Sequence, residues 1–234
     1  KLEQNVIRNP VSTRVTWHKA YLISGSVYKP LLSDAHKWDL KKAFEICEDA
    51  KRRFKDSEGA IQCENLQDDI MAKTINAVIE ENNLPNQAFR SLVHYKNFTD
   101  LHYRIIKTNR DEVTSQRRKW ERDYQVDREQ KFLEYFAAKA PLKTGKHVLP
   151  DDGDYQQHSI EVKLDALPEG EYMILFSSNK GFTTSSNGLA YAFTTVSNIS
   201  YIHRNVKDGG TEFYILHRQS GEPLAGVKAE VFST

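Results

Sequence analysis

The run Asp151-Asp152-Gly153-Asp154, flanked by His147 and His158, is where residue types and spacing come closest to a chemical site. Clustered carboxylates and imidazoles are cation donors, for calcium when oxygen dominates and for a transition metal when histidines join. The spacing argues against both. The run lacks the alternating positions and distal bidentate Glu of a calcium-binding helix–loop–helix, there is no HExxH, and no helical spacing unites the two histidines. A solvated turn is the expected reading, and no residue is assigned as a metal ligand.

The other reactive side chains fare no better. Cys47 and Cys63 are too few for a disulfide scaffold and have no zinc spacing. They fall on consecutive expected helices, where a bridge is compatible with the pattern but two buried free thiols are favoured. Acids flank them (Glu48 and Asp49; Glu64), which is not the setting of a low-pKa nucleophile. His94 and His102, on neighbouring expected strands, are expected to form an ordinary cross-strand pair. No Gly-x-Ser-x-Gly elbow, Walker loop or dinucleotide fingerprint occurs. The sequence therefore assigns no catalytic and no cofactor-binding residue, and the chain is not expected to be an enzyme.

At 234 residues with 39% apolar content, the chain can bury a sizeable core and exceeds the usual single-domain size. Lys plus Arg at 33 against Asp plus Glu at 32 give no electrostatic case for nucleic acid, and no apolar run is long enough to span a membrane.

The elements that would position these residues follow from periodicity. Residues 1–73 read as helical. Trp17, Tyr21, Ser24 and Tyr28 share a helical face closed by Pro30. Ser33 or Asp34 is the expected N-cap of a second helix, in which Leu40, Ala43, Phe44, Cys47, Ala50 and Phe54 follow the i, i+3, i+4, i+7 template. The spacing Ala43, Cys47, Ala50 weakly echoes a tetratricopeptide repeat. A break at 55–59 leads to a third helix with Cys63, Leu66 and Ile70 on one side.

From Thr74 the period becomes 2. Residues 89–95 and 101–107 read as a hairpin about the loop 96–100, and 108–140 as a charged amphipathic helical insertion with Trp120, Tyr124, Phe132, Tyr135 and Phe136 inward. The chain is organised around 149–179 (LPDDGDYQQHSIEVKLDALPEGEYMILFSSN), expected to be a polar loop and an antiparallel hairpin about a Pro-Glu-Gly turn. An Asn187-Gly188 turn leads into the strand 189–195. Strands at 199–203, 212–217 and 227–232 then open a second sandwich. The expected fold is α+β: a helical segment (1–73), an antiparallel, immunoglobulin-like β-sandwich (74–196) with an insertion at about 110–140, and the start of a second sandwich (197–234).

Four blocks in this order, 57–70 (SEGAIQCENLQDDI), 84–107 (LPNQAFRSLVHYKNFTDLHYRIIK), 149–179, and 198–232 with its SGEPLAGVKAEVF turn, resemble the N-terminal region of a bacterial α2-macroglobulin-like protein of the large kind found in Bacteroidetes. The resemblance implies a short helical segment ahead of macroglobulin domains strung end to end, and a parent that inhibits endopeptidases by trapping them. In many such proteins a Cys-x-Glu-Gln thioester captures the attacker. Here Cys47 precedes Glu48-Asp49-Ala50 and Cys63 precedes Glu64-Asn65-Leu66, so no thioester residue is assigned. The implied role is scaffolding in the cell envelope, periplasmic or surface-exposed and membrane-anchored upstream. Its implied partners are proteinases, met through the full-length parent, and other domains of the same chain, not nucleic acid. The alternative is a surface binding or adhesion module whose loop aromatics, Phe182 or Tyr155, would contact glycan or protein.

Overall fold

In the computed structural model, residues 9–119, 121, 127–183, 188–228 and 230 are described. The chain is α+β, with helices packed at one end and across one face of a β-sandwich. Three helices come first, α1 (Ser12–Ser24), α2 (Asp39–Arg53) and α3 (Glu58–Met71). Helix α2 buries Ala43, Cys47 and Ala50 on one stripe and ends in Lys51, Arg52 and Arg53, which suit the negative end of its dipole. Ser57 caps α3 by accepting the Ala60 N–H at 3.3 Å.

The helix starts and stops differ from the sequence reading. Helix α1 ends at Ser24, so Tyr28 lies beyond it. Helix α2 begins at Asp39, not after Ser33 or Asp34, because the Ser33 hydroxyl is used by the Ala35 N–H and the chain turns again through His36 at φ 66. The expected break at 55–59 reaches only to Ser57. Gly59 is inside α3, where it lies against the backbone of Thr13 and Arg14 in α1.

The sandwich has two sheets. The smaller has the antiparallel order β1-β3-β6, from β1 (Thr74–Ile79), β3 (Phe89–Lys96) and β6 (His158–Leu164). The larger has the order β2-β8-β7-β4-β5, from β2 (Asn82–Asn83), β4 (Asp100–Thr108), β5 (Lys143–Val148), β7 (Gly170–Ser177) and β8 (Leu189–Val196). It is antiparallel except where the short β2 lies parallel to β8. Alternation in β3 places Phe89, Ser91, Val93 and Tyr95 inward, where they meet Leu101, Tyr103 and Ile105 of β4 and Tyr172, Ile174 and Phe176 of β7.

Both expected hairpins are corners between the sheets. β3 and β4 lie in different sheets, as do β6 and β7. The reason is in the connections: Phe98 and Leu167 are buried in the sandwich core, so each connection passes over the core edge and does not turn within one sheet.

The insertion forms a third layer. Helices α4 (Arg110–Lys119) and α5 (Arg128–Ala137) are joined at Glu112, which accepts from Thr108, Tyr135 and Lys139. Phe132 and Phe136 of α5 pack with Ile106, Met173 and Leu175 on the outer face of the larger sheet. Strand β7 is thus covered on both sides, which explains its unbroken apolar run. Trp120 and Tyr124, expected on this helical face, lie outside the described residues, as do Asn187 of the expected turn and positions 229, 231 and 232 of the last expected strand. The hairpin β9 (Ile199–Asn205) and β10 (Thr211–His217) forms its own two-stranded sheet.

Candidate functional site

Of the polar side chains that the sequence marks for chemistry, Asp152, Asp154 and His158 meet at the end of the sandwich where the helices dock. In the loop 150–157, the Gly153 N–H is taken by Asp151 Oδ1, and Asp154 turns inward until it is 1% exposed. Asp154 Oδ1 accepts the Gln156 N–H at 2.8 Å and lies 2.9 Å from His158 Nε2 at the start of β6. The inward Asp154 departs from the solvated-turn expectation, while Asp151, Asp152 and Gly153 stay exposed.

The helical layer grips the same loop. Lys37 Nζ donates to Asp152 Oδ2 at 2.9 Å, Gln156 Nε2 donates to the carbonyls of His36 and Lys37 at 3.2 Å each, and the Phe44 and Tyr155 rings lie 5.5 Å apart. On the sandwich side, the Tyr95 hydroxyl donates to the Pro150 carbonyl at 2.8 Å. A second grip comes from the β3–β4 corner. Asn97 Nδ2 donates to the carbonyls of Ile70 and Ala72, at 2.7 and 3.1 Å, and so satisfies the C-terminal end of α3.

Asn97 has φ 61, in the left-handed region that asparagine tolerates. Asn97→Ala removes both hydrogen bonds and places alanine in that region, so chemical denaturation is expected to show a loss of about 2 kcal/mol. Asn97-Phe98-Thr99 also matches the N-glycosylation acceptor pattern, and a glycan on Nδ2 would break this grip.

Charge tunes the junction. The hydrogen bond from Lys37, reinforced by its charge, holds the Asp152 carboxyl below its ordinary value of 3.8. The Asp39 carboxyl is likewise lowered, first by the hydrogen bond with His36 and then by Lys42. Burial and then the loop carboxylates push the Tyr95 hydroxyl up. A carboxyl whose pKa falls on folding stabilises the fold above its unfolded value, and that contribution is lost as pH falls through the folded value. For Asp152 the window therefore lies at and below 3.8. Lys37→Ala is expected to lower Tm at neutral pH, with the deficit shrinking on acidification through that window. NMR titration should show the Asp152 pKa move up in the variant; an unmoved value would remove the ion pair from the junction.

Asp152, Asp154 and His158 each present a donor atom within 4.8 Å of the others, the one such grouping among the described residues. Two carboxylates and an imidazole can hold a divalent cation, but Asp152 is paired with Lys37 and Asp154 with His158. The arrangement as it stands is a latch between two layers. His147 does not join it: on β5 its ring stacks on Tyr103 at 5.5 Å. His94 and His102 lie in different sheets and do not pair. His94 Nδ1 meets Ser159 Oγ at 2.6 Å, while His102 stands opposite Lys146 and Ser177. Phe182 is buried beside Arg104, whose guanidinium lies 4.1 Å from its ring centroid, and Tyr155 packs on Phe44. Neither is the exposed contact that the adhesion alternative requires.

Lys37 and Gln156 leave no signal in the sequence. Nothing local ties position 37 to position 152, 115 residues away. Asn97 alone left a signal, as a turn-forming residue between two strands.

No protein-family model matches the chain, and no curated protein matches it. Among solved structures, it is similar to native α2-macroglobulin from Escherichia coli spanning domains NIE–MG1, at 13% identity over 66% of this chain and 74% of that one, with a TM-score of 0.38. It is also similar to the native conformation of E. coli α2-macroglobulin determined by cryo-electron microscopy, at 15% identity and a TM-score of 0.36. That match covers 65% of this chain and 10% of the other. A CARDB domain from Pyrococcus furiosus is similar at 12% identity over 53% of this chain and 91% of that one, with a TM-score of 0.28. Likenesses this distant carry no functional argument.

Proposed function

We propose that this chain is a non-catalytic scaffold unit in the N-terminal region of a bacterial α2-macroglobulin-like endopeptidase inhibitor of the cell envelope. The observation that carries the mechanical part is the double grip of the helical layer on the sandwich, through Lys37–Asp152 and Gln156 on one side and Asn97 on the other. A trap that closes around a proteinase needs stiff units with movable joints between them, and two layers clamped at separate points make a stiff unit. The four sequence blocks supply the family part. Proteinases are then partners of the full-length parent, and neighbouring domains are partners of this unit.

The test uses the full-length parent, mixed with a broad-specificity proteinase and assayed on a small chromogenic peptide and on a large protein substrate. Activity kept on the peptide and lost on the protein is expected, because a caged proteinase still admits small molecules. Equal activity on both would overturn the inhibitor reading.

A further inference from the structure

Cys47 and Cys63 are the only cysteines in the chain, and the fold brings them together. Cys47 lies on the inner face of α2 and Cys63 on that of α3, both 0% exposed and packed in one cluster with Ala20, Ala43, Ala50 and Ile70. Both side chains lie in the packed contact between α2 and α3. Packing alone needs only two small apolar side chains here, as the neighbouring alanines show. Two thiols buried in one helix–helix contact add the capacity to form a bond.

We propose that Cys47 and Cys63 form a redox pair that closes to an intramolecular disulfide stapling α2 to α3 when the chain folds in a thiol-oxidising compartment. With glutathione disulfide as oxidant, one protein thiolate attacks a sulfur of the oxidant, forming a mixed disulfide and releasing one glutathione thiolate. The second protein thiolate then attacks the protein sulfur of that mixed disulfide and displaces the other glutathione. The protein gives up two electrons and two protons, and the oxidant becomes two glutathione thiols.

Because both sulfurs are buried, the exchange belongs to folding, before α2 and α3 close, or to a local opening. The folded, reduced protein is therefore expected to oxidise slowly and the refolding protein quickly. This inference follows from packing and does not depend on the trap reading.

The test refolds the full chain from denaturant in a mixture of reduced and oxidised glutathione, and in parallel with excess reductant. Non-reducing peptide mapping is expected to show the Cys47 and Cys63 peptides linked, two hydrogens lighter than their sum, with no thiol left to alkylate after unfolding. The oxidised form is expected to melt about 5–10 °C above the reduced one. Cys47→Ala and Cys63→Ala should lose that rise and carry a glutathione on the remaining cysteine; if either fails to fold, the map of the unaltered chain still decides. Both cysteines free after oxidative refolding, or each carrying glutathione with no linked peptide, would overturn the pair. A linked form melting no higher than the reduced one would overturn the staple.

Discussion

Phe136→Ala is expected to lower stability by about 3–5 kcal/mol, measured by chemical denaturation at neutral pH. Phe136 is 0% exposed, its ring centroid lies 4.9 Å from that of Phe132, and both belong to the cluster that covers Ile106, Met173 and Leu175. Truncation removes the apolar area of the ring and leaves a cavity that the sheet cannot fill, because β7 is fixed by β4 on one side and β8 on the other. At the usual conversion for a chain of this size, Tm falls by roughly 6–20 °C. A change below about 1 kcal/mol would mean that the helical insertion rests on the sandwich without contributing to it.

Gly59→Ala carries the second large effect, and its sign opposes helix propensity. Within an ordinary helix the change stabilises by about 1 kcal/mol, since alanine is the better helix former. Here a Cβ would overlap the backbone of Thr13 and Arg14 where α3 crosses α1. Backbone atoms cannot rotate away as a side-chain tip can, so the crossing must open. That strains the 2.8 Å hydroxyl contact between Thr13 and Ser57 beside it. A net loss of about 2–4 kcal/mol is expected, from overpacking at a site with no slack. Denaturation curves for Gly59→Ala and the wild type decide it: a stabilised variant would show that the crossing has room.

Periodicity reveals what a residue does within its own element, and that much was legible. The Ala43, Cys47, Ala50 stripe is the buried face of α2, and the alternation of β6 predicts its inward Val162 and Leu164. Sheet membership was not legible. A Pro-Glu-Gly turn serves a hairpin and a corner equally well, and the clue lay in the apolar residues inside the connections, Phe98 and Leu167. β5 was missed because its LysThrGlyLysHisVal sequence has no apolar alternation; Gly145 is placed there by the Tyr103 ring packed against it. The junction was hidden most deeply. Its Lys37 and Gln156 contacts join residues more than a hundred positions apart, and spacing carries no information at that range.

The most direct test of a stiff, clamped unit is native-state hydrogen exchange on the wild type and on Asn97→Ala. If the helical layer and the sandwich are one unit, the slowest amides of α2 and α3 exchange with the same opening free energy as those of β3 and β7, and Asn97→Ala lowers both sets together. If α2 and α3 open at a much lower free energy, and the variant leaves β3 and β7 unchanged, the helical layer is a loosely tethered appendage and the scaffold reading fails.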